Sequence, residues 1–276
     1  MTLSPDSRFS PGVRSGARRR LRRGSVQAAA LKLWLVLLVL AVLGGAGCAS
    51  RPPPAAKHGE FANEAVSVDG AMRRYRLLVP RSVNLARSAP LVVAFHGMLV
   101  DDMDLMPEYT RLNETAERHG FLIAYPNAVG GAWGLWPRKI VNDIAFFDAL
   151  LARLSADYRI DPDRIYLLGM SNGGYFAHLL AKERSTTIAA VASHSGPLGL
   201  QTLFGVNAAR KFPVLIVHGT QDWIFSPWLA RENAERYRRE GHAAKYVEVA
   251  GLGHAWAYGI NEQIWQFFAS HPRSKP

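Results

Sequence analysis

The chain has 276 residues, with 33 Lys and Arg against 22 Asp and Glu, a net charge of +11 and a single cysteine. One cysteine excludes an intramolecular disulfide, and 49% hydrophobic residues suit a globular protein with a sizeable core rather than a disordered one. The charge is unevenly placed: residues 1–47 hold eight of the basic residues and one acidic residue, so the rest carries 25 − 21 = +4, which argues against a nucleic-acid partner.

The N-terminal stretch runs from the basic "VRSGARRRLRRGS" into the apolar Leu33–Leu43 and then "GGAGCAS". Those apolar residues are too few to span a bilayer core of about 30 Å, but they suit the apolar region of an export signal, which we place at residues 1–47. Small residues ahead of Cys48 resemble a bacterial lipoprotein signal, although Gly45 stands where such signals usually carry leucine. The expectation is therefore an exported protein of the cell envelope, lipidated at Cys48 and held to a membrane by that anchor. Residues 48–65, rich in proline and alanine, read as a flexible tether. A folded domain is expected from residue 66 to 276.

Within that domain, strand-like and helical runs alternate. "MRRYRLLVP" and "APLVVAFHG" are the first strands, and Val92, Val93 and Phe95 are too densely apolar for a sheet with one wet face. "MPEYTRLNETAERHG" reads as a helix stopped by Gly120, "FLIAYP" as a strand and "DIAFFDALLARL" as a helix. The strand "RIYLLGM", a helix from about Asn172, and the strands "IAAVASHSG" and "PVLIVHG" follow. The chain closes with a charged helix in "PWLARENAERYRREG", the strand "KYVEVAG" and the helix "NEQIWQFFASH". Such alternation predicts an α/β fold, a mostly parallel sheet with helices on both faces. Ligands then lie beyond the carboxyl ends of the strands.

The strand ends carry the chemistry. Ser171 sits between Gly169 and Gly173, after a strand and before a helix, the setting of a nucleophile elbow. A serine hydroxyl is a weak nucleophile and needs a base, itself oriented by a third group. Asp222 ends "PVLIVHGTQD" and His254 lies in "GLGHAW", giving the order Ser, Asp, His found on the α/β-hydrolase sheet. His194, in "SHSG", competes as the base but precedes Asp222, and Asp222 could instead cap the next helix. Acyl transfer also needs oxyanion donors, worth about 3 kcal/mol each. The backbone N–H groups of Asn172 and Met98 are the candidates. Asp143 precedes the serine and reads as a helix cap or loop organiser.

These motifs resemble the esterases that include polyhydroxybutyrate depolymerase-like proteins and feruloyl or acetylxylan esterases. The resemblance is carried from about Tyr75 to Phe268 by "YRLLVP", "VVAFHG", "YPNAVGGAW", "DIAFFDALLARLSADYRIDPDRIYLLGMSNGG", "PVLIVHGTQD" and "GLGHAW". It implies an α/β-hydrolase fold, the triad Ser171, Asp222 and His254, and an active-site edge at Trp256. No cofactor or metal is expected. His96, Trp133, Trp136, His194, Trp223 and Trp256, all near strand ends, are expected to line the pocket. About sixteen residues separate "IAAVASHSG" from the next strand, too few for a large cap domain, so the cleft is expected to be open. The expected substrate is a small or oligomeric ester. A serine peptidase or amidase would use the same residues, and a non-catalytic envelope lipoprotein would use only the fold.

Overall fold

The computed structural model of the protein describes residues 56–98, 102–199 and 205–273. The expected export signal and the lipidated Cys48 lie outside the described residues. Eight strands form one sheet: β1 (Gly59–Val68), β2 (Ala71–Val79), β3 (Ala89–Phe95), β4 (Leu122–Pro126), β5 (Ile160–Met170), β6 (Ala190–His194), β7 (Val214–Gly219) and β8 (Ala244–Val249). Their spatial order is β1-β2-β4-β3-β5-β6-β7-β8. β2 runs antiparallel to both neighbours, and every other pair is parallel.

Six α-helices among the described residues cover this sheet: α1 (Met106–Thr110), α2 (Leu112–His119), α3 (Pro137–Asp157), α4 (Asn172–Glu183), α5 (Pro227–Arg239) and α6 (Asn261–Ala269). Successive strand residues point to opposite faces, so the wholly buried β3 feeds two cores. Leu91, Val93 and Phe95 join one with Phe146, Phe176 and Tyr237 from α3, α4 and α5. Val92 and Ala94 join the other with Met106, Ala116, Ile264 and Phe268 from α1, α2 and α6. This two-sided burial is why the central strands read as unbroken apolar runs.

Two boundaries differ from expectation. The sheet begins at Gly59, so residues 59–65 belong to an edge strand rather than to the tether; Gly59 pairs with Val79 and Phe61 with Leu77. "GEFANEA" carries little β-propensity of its own, and pairing with β2 and the packing of Phe61 hold it in place. The helix expected over 106–119 is two helices, because Arg111 adopts a left-handed conformation (φ 55°) between them. Between β6 and β7 the described residues hold no helix or strand, in keeping with an open cleft without a large cap.

Candidate active site

Ser171 occupies the sharp turn between β5 and α4, with φ 53° and ψ −120°. That conformation costs a non-glycine residue about 1–3 kcal/mol and persists only where its surroundings dictate it. Here they do: Ser171 N–H donates to His194 O at 2.9 Å, and Tyr175 N–H donates to Ser171 O at 3.0 Å. The flanking glycines are obligatory for a steric reason. A Cβ on Gly169 would lie 2.1 Å from Gly173 O, and one on Gly173 would lie 2.2 Å from Phe95 O.

The loop after β8 brings His254 to the serine. His254 Nε2 is 2.9 Å from Ser171 Oγ, and Nδ1 is 2.8 Å from Asp222 Oδ2. An ionised carboxylate can only accept, so Nδ1 carries the proton and Nε2 presents its lone pair to the serine hydroxyl. Asp222 follows β7. Burial opposes its ionisation, but the N–H groups of Phe225 and Ile224, donating to Oδ1 at 3.0 and 2.9 Å, and the His254 imidazole outweigh burial and hold its pKa below the ordinary carboxylate value.

A second imidazole reaches the same carboxylate. The buried His218 places Nε2 2.8 Å from Phe225 O and 3.3 Å from Asp222 Oδ2, bracing the loop that carries Asp222. The sequence reading missed this role, and the signal was its place at the end of β7, four residues ahead of Asp222.

Ser171 and His254 open onto a cavity of about 810 Å³. Met98, Tyr109, Leu135, Met170, Tyr175, Pro197, Trp223, Ile224 and Phe225 share its wall, and no Lys, Arg, Asp or Glu lines it among the described residues. Met98 and Asn172 both border this space, as oxyanion donors would have to. The Asn172 side chain is committed elsewhere: Oδ1 accepts from Trp133 N–H at 2.6 Å, and Nδ2 donates to Trp133 O at 3.1 Å.

Of the six residues expected to line the pocket, only Trp223 does, and it is 82% exposed. Trp133 is wholly buried, wedged between Phe95 and Phe176. Trp256 is buried, stacks on His194 and donates Nε1–H to Asn261 Oδ1 at 2.9 Å. Trp136 is exposed but outside the cavity wall. His96 is buried; its Nε2 accepts from Ala128 N–H at 3.0 Å, so it ties β3 to the loop after β4. His194 is buried too, and its Nε2 accepts from Ala257 N–H at 3.3 Å. Burial first, and then the nearby His218 and His254 imidazoles, push the His194 pKa down to about 3. A histidine with its lone pair engaged on the backbone is a brace for the His254 loop rather than the base. The common cause of these corrections is that a place near a strand end does not fix where a side chain points.

Asp143 lies in the second turn of α3, not at its cap, and is wholly buried. Its Oδ2 accepts from Gly134 N–H at 2.9 Å and Oδ1 from Arg73 at 2.9 Å, so it does organise the loop.

The chain is similar to known esterases over part of its length. Residues 73–208, which include Ser171 but neither Asp222 nor His254, match the sequence model of the Esterase PHB depolymerase family. The bifunctional acetylxylan esterase/xylanase XynS20E of Neocallimastix patriciarum is 32% identical over 192 residues, which are 68% of this chain and 27% of that protein. The putative esterase NocK of Nocardia uniformis subsp. tsuyamanensis is 32% identical over 176 residues, 61% of this chain and 50% of that protein. The chain thus spans half or less of the length of these curated relatives. Among solved structures, the ferulic acid esterase AmCE1/Fae1A of Anaeromyces mucronatus superposes with a TM-score of 0.60 at 18% identity, covering 78% of this chain and 90% of that one. A thermostable esterase superposes with a TM-score of 0.63 at 22% identity, covering 77% and 63%. The strand order and these superpositions give the chain an α/β-hydrolase fold, on which residues 73–208 resemble the Esterase PHB depolymerase family.

Proposed function

We propose that the protein is a serine carboxylic ester hydrolase. The observation that carries the reading is the continuous hydrogen-bonded line from Ser171 Oγ through His254 to Asp222, opening on a largely apolar cavity. Ser171 Oγ attacks the ester carbonyl while His254 Nε2 takes its proton. Asp222 holds the imidazolium that results, and the backbone N–H groups of Asn172 and Met98 receive the oxyanion. Collapse of the tetrahedral adduct expels the alcohol, which takes the proton back from His254. Water, deprotonated by the same imidazole, then releases the acid from the acyl-enzyme.

The substrate is a small or oligomeric neutral ester, of a hydroxyalkanoate, aromatic or acetyl type. Two observations support that class: a cavity wall that holds no Lys, Arg, Asp or Glu among the described residues, and relatives whose names are acetylxylan and feruloyl esterases. Rates on p-nitrophenyl acetate, p-nitrophenyl butyrate and a peptide p-nitroanilide test this. Hydrolysis of the esters with the anilide at least about a hundredfold slower is expected; an anilide cleaved as fast as the esters would replace esterase with amidase.

We also infer that residues 1–47 direct export to the cell envelope and that Cys48 carries the lipid anchor, on the strength of the apolar run and the small residues before the cysteine. Radioactive palmitate should label the full chain and not the Cys48→Ser variant. Label that persists in the variant would move the anchor elsewhere.

A further inference from the structure

We propose that Trp133 is a positioning residue that holds the two oxyanion donors, the backbone N–H groups of Met98 and Asn172, in register with one another. The inference rests on the reading of Ser171 as an acyl-transfer nucleophile.

The two donors come from segments far apart in the chain, one just beyond β3 and the other at the start of α4. An oxyanion hole works only when both donors stand about 2.7–3.1 Å from one point, and a misplacement of about 1 Å can cost a hundredfold in rate. Something must therefore fix the end of β3 against the start of α4. Trp133 touches both. Its backbone N–H and C=O pair with the Asn172 side chain at 2.6 and 3.1 Å, a two-point clamp on the residue that bears one donor. Its indole Nε1–H donates to His96 O at 3.1 Å, two residues before the other.

The neighbourhood makes this bridge rigid. The Trp133 ring stacks on Phe176 of α4 with centroids 5.2 Å apart, and meets Phe95 of β3 edge-on at 5.1 Å. The next residue is held on both sides: Gly134 N–H donates to Asp143 Oδ2 at 2.9 Å, and Gly134 O accepts from Tyr175 OH at 2.8 Å. Trp133 has no exposed surface and no place in the cavity wall, so any effect it has on rate acts through the donors. A residue that only filled space between two phenylalanines would not need an indole N–H aimed at the His96 carbonyl.

The test is Trp133→Phe, which keeps an aromatic ring between Phe95 and Phe176 and deletes the indole N–H. With p-nitrophenyl butyrate, kcat should fall about tenfold while KM changes by less than about twofold. The affinity for phenyl trifluoromethyl ketone, whose adduct on Ser171 carries an oxyanion, should fall by the same factor of about ten. Asn172→Ala cuts the clamp from the other side, should produce the same split, and should combine with Trp133→Phe less than additively. Unchanged kcat and ketone affinity in folded variants would overturn the proposal, as would a loss confined to KM or full additivity. If Trp133→Phe does not fold, as judged by its thermal transition, Asn172→Ala decides by the same readouts. A wild-type protein that neither hydrolyses the ester nor binds the ketone would instead sink the reading of Ser171 itself.

Discussion

Asp143 shows how much of this site is held from below. Its carboxylate, wholly buried, faces the Arg73 guanidinium at 2.9 Å and the Lys139 ammonium at 3.4 Å, and Arg73 also lies over the Phe146 ring at 4.2 Å. Removing one partner of a buried ion pair strands the other charge, so Asp143→Ala should lower the unfolding free energy by about 3–5 kcal/mol in urea titrations. Arg73→Met combined with Asp143→Leu should recover part of that loss, because the Arg73 charge goes with its partner while Lys139 keeps its hydrogen bond to Val129 O; a loss under about 1 kcal/mol in the single variant would show that the pair is not desolvated as described. At this scale the sequence was legible where chemistry constrains order and spacing. Ser171 between its glycines, with Asp222 and His254 after it, could be read directly. Asp143 as a loop organiser could also be read, but not its partner Arg73, which lies 70 positions away. The buried histidines could not be told apart by position: His96, His194 and His218 all end or follow apolar strands, and only the backbone groups they bond to reveal that they brace loops.

Among the elements, the central strands were legible because burial on both faces leaves nearly unbroken apolar runs in β3, β4 and β7. Edges were less so. β1 depends on pairing with β2, a long-range interaction that the residues of "GEFANEA" do not announce. The break between α1 and α2 was invisible for a related reason: Arg111 takes a left-handed conformation that sequence rules assign to glycine or asparagine, and its side chain pairs with Glu114 at 2.8 Å. α3 starts at Pro137, seven residues ahead of the apolar run that betrayed it. Proline in the first turn was the available signal. The aromatic positions failed for the opposite reason. Trp133 and Trp256 do sit near the catalytic edge, but α4 and His194 draw them into the interior.

For the whole molecule, the sheet order gathers three distant segments at one edge. Ser171 comes after β5, Asp222 after β7 and His254 after β8, and the parallel pairing of these strands puts all three at their carboxyl ends. The helices on both faces keep those ends fixed, while the stretch between β6 and β7 adds no helix or strand over them among the described residues. We infer that this convergence makes Ser171 a nucleophile. A fluorophosphonate probe measures that property directly, since it reacts only with a serine whose proton can be taken by a positioned base. Intact-mass analysis should find one phosphonyl group on the wild-type chain, on the peptide holding Ser171, and none on Ser171→Ala. A well-folded wild-type protein that stays unlabelled, or a Ser171→Ala variant labelled as fully as the wild type, would contradict the account.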